Sequence, residues 1–508
     1  MTERIPHLVT NKESADAMMA LLCSEKEKFW QDEGAKKALA LFHAAAKRVP
    51  AYKDFLQKEH IDPERIVTIA DLQSVPPVDK NNYLRQYPLE ALCWGGTLKG
   101  KSLVFTATSG STGAPFYFPR SEVLDWQSAV EHRTFLDGLL HGTTRSTLVI
   151  DAFGMGVWIG GLLTYQAFRH LSTDPAYPIT LITPGTNKKE IFEALKNLSH
   201  QFDQTIICAY PPFLKDILDE GETTGILWRE MHLKLLCAAE SFSEDFRDHL
   251  AAKVGIRNVY CETTNIYGSA DLGTMAKETP LSIFVRRAAL NNKDLFRSVF
   301  PLANKLPTLA QFNPLFTHFE APEGRVLVTA YNVLPLIRYA IGDSGTVMQF
   351  GNIVSLLDEH HVDLKTESRA HGFDQTVQEL PFVAIYERSD FSTKLYGAII
   401  YPEHVREALI TPHAQESLTG KFTLATKHDT EHNEYLEINI ELRKGSIHSP
   451  DLERRVVNWV MKALLEKNAE YHYLHTMTPE RIRPTIVFWE YGHPQYFQSG
   501  TKQQWVLK

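Results

Sequence analysis

The sequence predicts an α/β protein with a large N-terminal domain of mostly parallel sheets flanked by helices, followed by a small α+β domain. Two observations support this fold class. Short apolar, β-rich runs recur between residues 102 and 331, with helical patterns in several of the intervals. After residue 390 the pattern changes to a strictly alternating strand and a helix with one apolar stripe. The length of 508 residues is sufficient for several domains.

The predicted N-terminal domain covers residues 1–389. Its residues 1–90 are rich in helix formers and are expected to form a mainly helical cap. Helical patterns also occupy residues 188–202 and 244–253, between predicted strands. The predicted strands are 102–108, 147–153, 205–210, 233–239, 259–264 and 325–331. Ligands of α/β folds bind beyond the carboxyl ends of the strands, so binding residues are expected there.

The predicted C-terminal domain covers residues 390–508. Residues 435–442 alternate polar and apolar side chains, which indicates a strand with one solvated face. Residues 450–468 carry an apolar helical stripe, and residues 484–491 read as another strand. A unit of about a hundred residues is a plausible separate domain by size.

Composition restricts the partners and the compartment. The chain has 53 basic and 61 acidic residues, a net charge of −8, which argues against nucleic acid as a main partner. No apolar segment follows Met1 and no run approaches a membrane span, so neither a signal peptide nor membrane insertion is expected, and the expected location is cytoplasmic. The five cysteines are scattered singly, so neither disulfides nor structural zinc is expected.

A loop rich in hydroxyl groups and glycine follows the first predicted strand. Glycine allows the backbone to approach an anion closely, and consecutive N–H groups with hydroxyls supply donors. The loop therefore predicts phosphate binding, although a flexible surface linker has the same composition. It is not a P-loop because no lysine follows its last glycine; the nearest cation is Arg120. The predicted phosphate-binding residues are Thr108, Ser109, Gly110, Ser111, Thr112 and Gly113.

Three further segments follow this loop in a fixed order, at residues 265–271, 335–343 and 387–397. Together the four segments resemble the adenylate-forming superfamily of acyl-CoA synthetases, adenylation domains and luciferases. The segment Ala238-Ala-Glu-Ser-Phe-Ser243 adds a likeness to the phenylacetate-CoA ligase branch. The resemblance runs from about Pro76 to the C-terminus. It implies ATP- and Mg²⁺-dependent activation of a carboxylic acid, aryl or arylacetic in this branch, to an acyl-AMP with pyrophosphate release. A thiol then accepts the acyl group, by default that of coenzyme A.

The resemblance also implies roles for individual residues. Tyr267 would stack on adenine beside Gly268, and Glu240 would border adenine or substrate. Asp343 would bind the ribose hydroxyls, and Arg388 would approach the nucleotide. Asp271 would help to hold Mg²⁺, although relatives usually have Glu there and have Thr or Ser where this chain has Ala270.

The same resemblance implies that the small C-terminal domain is mobile and rotates on Asp390 as its hinge. It also assigns Lys502 as the catalytic lysine that contacts the carboxylate and the α-phosphate. Arg338 fits either a nucleotide contact or a buried structural ion pair. Adjacent His360 and His361, in a polar insertion at 358–380, are expected on a surface loop. Trp158, Tyr210 and Phe213 are candidates to line an apolar acyl pocket, and core packing explains these residues nearly as well.

Three alternatives stay open. If a carrier protein supplies the thiol, the chain is a stand-alone adenylation enzyme of a biosynthetic pathway; if an amine accepts the acyl group, it is an amide synthetase. The third is a catalytically decayed, nucleotide-binding regulatory protein. Asp271, Ala270 and the missing loop lysine favour that reading, whereas Asp343, Arg388 and Lys502 argue against it.

Overall fold

The computed structural model describes residues 12–108, 116–137, 145–303, 306–388, 392–409, 411–494, 496–497 and 505–507. The chain divides into two compact units. The N-terminal unit comprises residues 1–106, 117–209 and 218–389, and the C-terminal unit comprises 107–116, 210–217 and 390–508. Two short segments from earlier in the chain thus belong to the C-terminal unit, which the sequence did not predict.

The helices are short to medium in length. They are α1 Lys12–Ser24, α2 Glu27–Arg48, α3 Pro50–Lys58, α4 Ile69–Ser74, α5 Glu122–Asp137, α6 Ile159–Leu171, α7 Lys188–Leu198, α8 Pro211–Thr223, α9 Glu244–Val254, α10 Val259–Glu262, α11 Pro280–Asn291, α12 Lys293–Val299, α13 Phe350–Glu359, α14 Leu364–Ala370, α15 Pro402–Leu409, α16 Pro412–Gln415, α17 Pro450–Lys467 and α18 Ala469–Met477.

The strands form one large sheet and several small ones. They are β1 Val104–Ala107, β2 Tyr117–Arg120, β3 Thr147–Asp151, β4 Ile179–Ile182, β5 Gln204–Ala209, β6 Leu233–Ala238, β7 Thr263–Ser269, β8 Gly273–Lys277, β9 Thr308–Gln311, β10 Thr317–Glu320, β11 Arg325–Ala330, β12 Leu336–Met348, β13 Phe382–Arg388, β14 Thr393–Leu395, β15 Ala398–Ile400, β16 Leu418–His428, β17 Glu434–Leu442 and β18 Thr485–Trp489.

The large sheet confirms the predicted α/β class but is mixed rather than mostly parallel. Its order is β10-β11-β12-β13-β9-β8-β7-β6-β5-β3-β4. The strands from β4 through β3, β5 and β6 to β7 are parallel. On the other side of β7, each neighbouring pair in the order β7-β8-β9-β13-β12-β11-β10 is antiparallel. The physical reason is the length of the connections: parallel neighbours require a long crossover, whereas β7 and β8 are joined by only a short turn.

Local capping explains where several elements begin. Residues 259–264 were predicted as a strand, but Val259–Glu262 is a helical turn and β7 starts at Thr263. The Asn258 side chain accepts hydrogen bonds from the backbone N–H groups of Tyr260 and Cys261. This cap satisfies donors that a strand would leave to another partner, so it outweighs the β propensity of the segment.

The predicted polar insertion contains a helix after the surface turn that holds His360 and His361. Helix α14 lies within residues 358–380, and Phe373 is buried in the core cluster that also contains Ile353 and Leu357. His360 caps the end of α13, and the exposed His361 follows it with φ of +62°. A buried apolar anchor therefore holds this segment to the N-terminal unit.

The C-terminal unit is built on a three-stranded sheet. Strands β16 and β17 pair antiparallel and β17 and β18 pair parallel. Helix α17 buries its apolar stripe, as its sequence predicted. Within this unit, the buried Asp216 accepts a hydrogen bond from the Tyr396 hydroxyl at 3.1 Å and lies 3.3 Å from the Arg481 guanidinium. These contacts fix the segment 210–217 to the rest of the unit.

Two general properties follow from the described residues. In the part of the chain that the structure describes, no helix has the length and apolar character needed to cross a bilayer. All five cysteines lie in that part and none of them forms a disulfide there. Burial raises the pKa of Cys237 to about 12.

A buried histidine predicts that acid destabilises the fold. His132 is 2% exposed, and burial, with the nearby charge of Lys277, lowers its pKa from 6.5 to about 4. Between these values the unfolded chain binds a proton that the folded chain does not, so the free energy of unfolding falls as the pH drops. The full effect is about 3 kcal/mol. Urea unfolding at neutral pH and at about pH 5 measures it. His132→Asn should lose less stability between the two conditions, and an equal loss would contradict this cause.

Candidate functional site

Two residues from distant motifs meet in the N-terminal unit. The hydroxyl of Tyr267 on β7 donates a hydrogen bond of 2.5 Å to Oδ2 of Asp343 on β12. Asp343 is 7% exposed, and Tyr267 is half-buried. The tyrosine orients the carboxylate and leaves further lone pairs to accept other hydroxyl groups. An aromatic ring next to a buried carboxylate suits a ligand that has both a flat base and vicinal hydroxyls.

Backbone geometry places both side chains. Gly342 precedes the aspartate with φ of +94°, a conformation that favours glycine. Gly268 follows the tyrosine at a register shift in the β7–β8 pair, and a Cβ there would lie 2.7 Å from the carbonyl oxygen of Gly273. A side chain at position 268 would therefore push β7 away from β8 and displace Tyr267.

Glu240 lies in the segment that follows β6. It is 8% exposed, and its carbonyl oxygen accepts a hydrogen bond of 2.9 Å from Nδ2 of Asn265. The preceding Ala239 has φ of +75°, which is strained for a residue with a Cβ. Such strain persists only where the surrounding structure over-determines the backbone, and it is often found at functional sites.

Asn265 is a residue whose role the sequence reasoning missed, although it opens a quoted motif. Its side chain is 4% exposed, and its Oδ1 has no hydrogen-bond partner among the described residues. An unsatisfied buried amide oxygen costs free energy, so an amino group on a ligand would be a favourable donor to it.

Asp271 makes polar contacts with two distant parts of the N-terminal unit. Its side chain is buried, and Oδ2 accepts from the Tyr339 hydroxyl at 2.6 Å and lies 3.4 Å from Nζ of Lys80. No group of three or more His, Cys, Asp or Glu residues that could hold a metal ion occurs in the described parts of the chain. A Mg²⁺ that accompanies ATP needs only one or two carboxylates beside the phosphates, so the role of Asp271 toward Mg²⁺ stays a prediction.

Lys80 was also missed, because it comes from the N-terminal helical region. A capping box formed by Asp79 and Asn82 sets its short helical turn. Val78 pairs with Tyr339 in a parallel bridge, and this bridge draws the segment against β12. The capping box is visible in the sequence, but the approach of Lys80 to Asp271 is a long-range contact.

The predicted phosphate loop is described only at its base. The hydroxyl of Thr108 accepts from the backbone N–H of Phe116 at 3.1 Å, and Thr108 N donates to the Phe116 carbonyl at 3.0 Å. In the N-terminal unit, the Thr106 hydroxyl lies 3.4 Å from the carbonyl oxygen of Ala270. Ser109, Gly110, Ser111, Thr112 and Gly113 lie outside the described residues.

Three other predicted residues lie wholly or partly outside the described part of the chain. Arg388 pairs with Asp343 in the β12–β13 register, and its side chain lies outside what the structure describes. Asp390 and Lys502 also lie outside the described residues. Their roles stay predictions.

Arg338 has the contacts of the structural alternative. It is 5% exposed, and its Nε lies 2.9 Å from Oε2 of Glu320. A guanidinium nitrogen also donates to the carbonyl oxygen of Val75. The buried ion pair thus links β12 to β10. The hydrogen bond to Val75 links β12 to the N-terminal helical region.

The acyl pocket proposed for Trp158, Tyr210 and Phe213 stays a prediction. Trp158 is half-buried at the start of α6, in the N-terminal unit. Tyr210 and Phe213 belong to the C-terminal unit, where Phe213 is buried in α8. A close approach does shape the start of α6, since a Cβ at Gly161 would lie 2.6 Å from the Gly154 carbonyl oxygen.

Comparison with known proteins supplies relatives in sequence and in fold. No family model matches the chain. Phenylacetate-coenzyme A ligase of Aromatoleum evansii is 24% identical over 231 residues, 45% of this chain and 48% of the relative. The enzyme of the same name from Thermus thermophilus is 22% identical over 251 residues, 49% of this chain and 51% of the relative. The matched stretch therefore spans about half the length of the curated relatives.

The fold matches a solved ligase over nearly the whole chain. A crystal structure of 2-hydroxyisobutyryl-CoA ligase, in complex with 2-HIB-AMP and CoA, has a TM-score of 0.62 at 13% identity and covers 96% of this chain and 90% of that one. A second structure of that ligase, in the postadenylation state, has a TM-score of 0.52 at 14% identity and covers 93% and 88%. The chain is thus similar in sequence to phenylacetate-coenzyme A ligases and has the fold of an acyl-CoA ligase, so its predicted resemblance to the adenylate-forming superfamily is confirmed.

Proposed function

We propose that this chain is an AMP-forming acid–thiol ligase. It binds ATP, activates a carboxylic acid to an acyl-AMP with release of pyrophosphate, and transfers the acyl group to a thiol, with coenzyme A as the first candidate. An aryl or arylacetic acid is the first substrate class, since the similar curated enzymes are named for phenylacetate.

The observation that carries the proposal is the Tyr267–Asp343 pair. Two motif residues 76 positions apart in sequence meet at 2.5 Å. The carboxylate of Asp343 can accept both ribose hydroxyls, and the Tyr267 ring offers a flat surface for adenine. The partnerless Oδ1 of Asn265 supplies an acceptor for the exocyclic amine of adenine. Together these groups match the hydrogen-bonding pattern of adenosine.

The chemistry requires that negative charge be balanced while the carboxylate attacks the α-phosphorus. In the proposal, the loop that starts at Thr108 supplies N–H and hydroxyl donors to the departing pyrophosphate. Lys502 contacts the reacting carboxylate and the α-phosphate. Mg²⁺ would accompany the phosphates of ATP, and Asp271 is the residue proposed to help hold it.

The decisive experiment measures pyrophosphate release from ATP across a panel of aryl, arylacetic, fatty and amino acids, with and without coenzyme A. We expect a carboxylate-dependent burst that turns over only when coenzyme A is present. A burst without that turnover would replace coenzyme A by a carrier-protein thiol or an amine. Tight ATP binding with no release from any acid would contradict the ligase activity.

A nucleotide-binding protein without catalysis is the second candidate. It is favoured by the contacts of Asp271, because its Oδ2 is already paired with Tyr339 and Lys80. Measuring ATP affinity in parallel with pyrophosphate release separates the two functions, because only the ligase couples binding to turnover.

A further inference from the structure

A cluster of five charged residues lies between α9, β8 and α11, and none of the functional predictions uses it. Four members have at most 2% of their surface exposed, and the fifth has a side chain that is 21% exposed. A buried charge is costly unless it is paired, so the arrangement of the partners is tightly constrained. The members are Glu244, Arg247, Glu278, Arg286 and Arg287.

Two glutamates are shared among three arginines. Nη1 of Arg286 lies 2.6 Å from Oε1 of Glu244 and 2.6 Å from Oε1 of Glu278. Arg247 pairs with the same two carboxylates at 2.9 and 2.8 Å. Burial alone would raise the pKa of Glu244, but Arg247 and Arg286 hold it below its usual value. The lowered pKa keeps the Glu244 carboxylate ionised, and the ion pairs of both glutamates bridge α9 to α11.

The cluster also fixes one end of the segment 239–242. Nη2 of Arg286 donates a hydrogen bond of 2.8 Å to the carbonyl oxygen of Phe242. The guanidinium of Arg247 lies over the Phe242 ring, 4.8 Å from its centroid. Both the backbone and the ring of Phe242 are thus fixed by arginines of the cluster.

The other end of the segment is connected to the same cluster through β7. The backbone N–H of Glu278 donates to the carbonyl oxygen of Asn265 at 2.8 Å, and Nδ2 of Asn265 donates to the carbonyl oxygen of Glu240 at 2.9 Å. Ala239, with φ of +75°, lies between Glu240 and Ala238, and Ala238 is paired with Ile266 of β7. A strained residue is held in place when both flanking parts of the backbone are fixed.

We propose that Arg286 and Glu278 are positioning residues that align Glu240 and Asn265 for selection of adenine. The inference rests on the proposed function, because it assumes that this segment borders the base of ATP. Neither residue is expected to touch the nucleotide. They act through the backbone of the segment 239–242, and their loss changes which base is preferred.

The test compares two adjacent arginines on α11. Arg286→Lys keeps the charge but replaces two separated nitrogens by one ammonium, so it cannot bridge the glutamates and also reach Phe242. Arg287→Lys is the matched control, since Arg287 pairs with Glu244 at 2.9 Å and with Asp248. Glu278→Gln is a second variant that retains the backbone contact to Asn265 while it weakens the bridge.

The measurements are kcat and KM for adenylation with ATP and with GTP, KM for the acid, and direct binding of both nucleotides. In Arg286→Lys, and less strongly in Glu278→Gln, we expect the ATP:GTP preference to fall by about tenfold through the nucleotide KM, with the acid KM unchanged. Arg287→Lys should retain the wild-type preference. Equal losses in both arginine variants, or an intact preference in folded Arg286→Lys, would overturn the positioning role.

Direct binding separates this inference from the proposed function. A wild type that prefers ATP over GTP but adenylates no acid would contradict the ligase activity, while the binding ratio still tests Arg286. A wild type without any preference for ATP would overturn the positioning role itself. If Arg286→Lys does not fold, the binding ratio of Glu278→Gln decides.

Discussion

Asp343→Ala is expected to weaken ATP binding by about 10²- to 10⁴-fold, because it removes the carboxyl group proposed to accept from two ribose hydroxyls, each hydrogen bond contributing about 1.5–3 kcal/mol. The carboxylate is 7% exposed and already oriented by Tyr267 at 2.5 Å. Isothermal titration with ATP measures the loss directly, and adenylation kinetics should show it in KM for ATP.

Tyr267→Phe serves as the comparison for this change. It removes one neutral donor to Asp343 and keeps the ring, so its effect should be about tenfold or less. Deoxy-ATP analogues that lack a ribose hydroxyl should bind the wild type more weakly than ATP does. The same analogues should bind Asp343→Ala with nearly the same affinity as ATP. Wild-type affinity of Asp343→Ala for ATP would exclude ribose binding by this residue.

Lys502→Ala is expected to lower the rate of adenylation by about 10²- to 10³-fold, since it removes a cation aimed at charge that develops in the transition state. ATP binding should be nearly unchanged, because the proposed contact of Lys502 forms with the reacting carboxylate and the α-phosphate. Pyrophosphate release under single-turnover conditions separates this chemical step from nucleotide binding.

Lys508→Ala is the matched control for this prediction, because it removes the same charge from a position six residues closer to the chain end. We expect it to adenylate at the wild-type rate. Transfer of the acyl group from preformed acyl-AMP provides a second comparison. It should persist in Lys502→Ala if the lysine serves only the first reaction. Undiminished adenylation by Lys502→Ala would remove Lys502 from the mechanism.

The α/β class could be predicted because hydrophobic periodicity is local. The runs at 147–153, 205–210 and 233–239 match the strands β3, β5 and β6 to within two residues at each end, and the residues of these strands are almost all buried, as expected in a parallel sheet covered on both faces. Strand direction was harder, since it depends on the length and path of connections. The antiparallel part of the sheet was therefore missed.

The roles of individual residues also depend on long-range contacts that local sequence does not contain. Arg338 carried two interpretations in the sequence, and its contacts with Glu320 and Val75 favour the structural ion pair. The Asp271 carboxylate was read as a Mg²⁺ ligand because its motif position is local information. Its occupation by Tyr339 and Lys80 depends on side chains 68 and 191 positions away.

The fold class and the order of the motifs could be predicted from the sequence because both depend on local pattern, and the family resemblance supplied the residues expected to bind adenosine. Only the tertiary structure brought Tyr267 to Asp343, Lys80 to Asp271 and the arginine–glutamate cluster to the segment 239–242. These are contacts between residues far apart in the chain. The packing of the mixed sheet and its helices sets their distances, and one chain's local pattern carries no record of that packing.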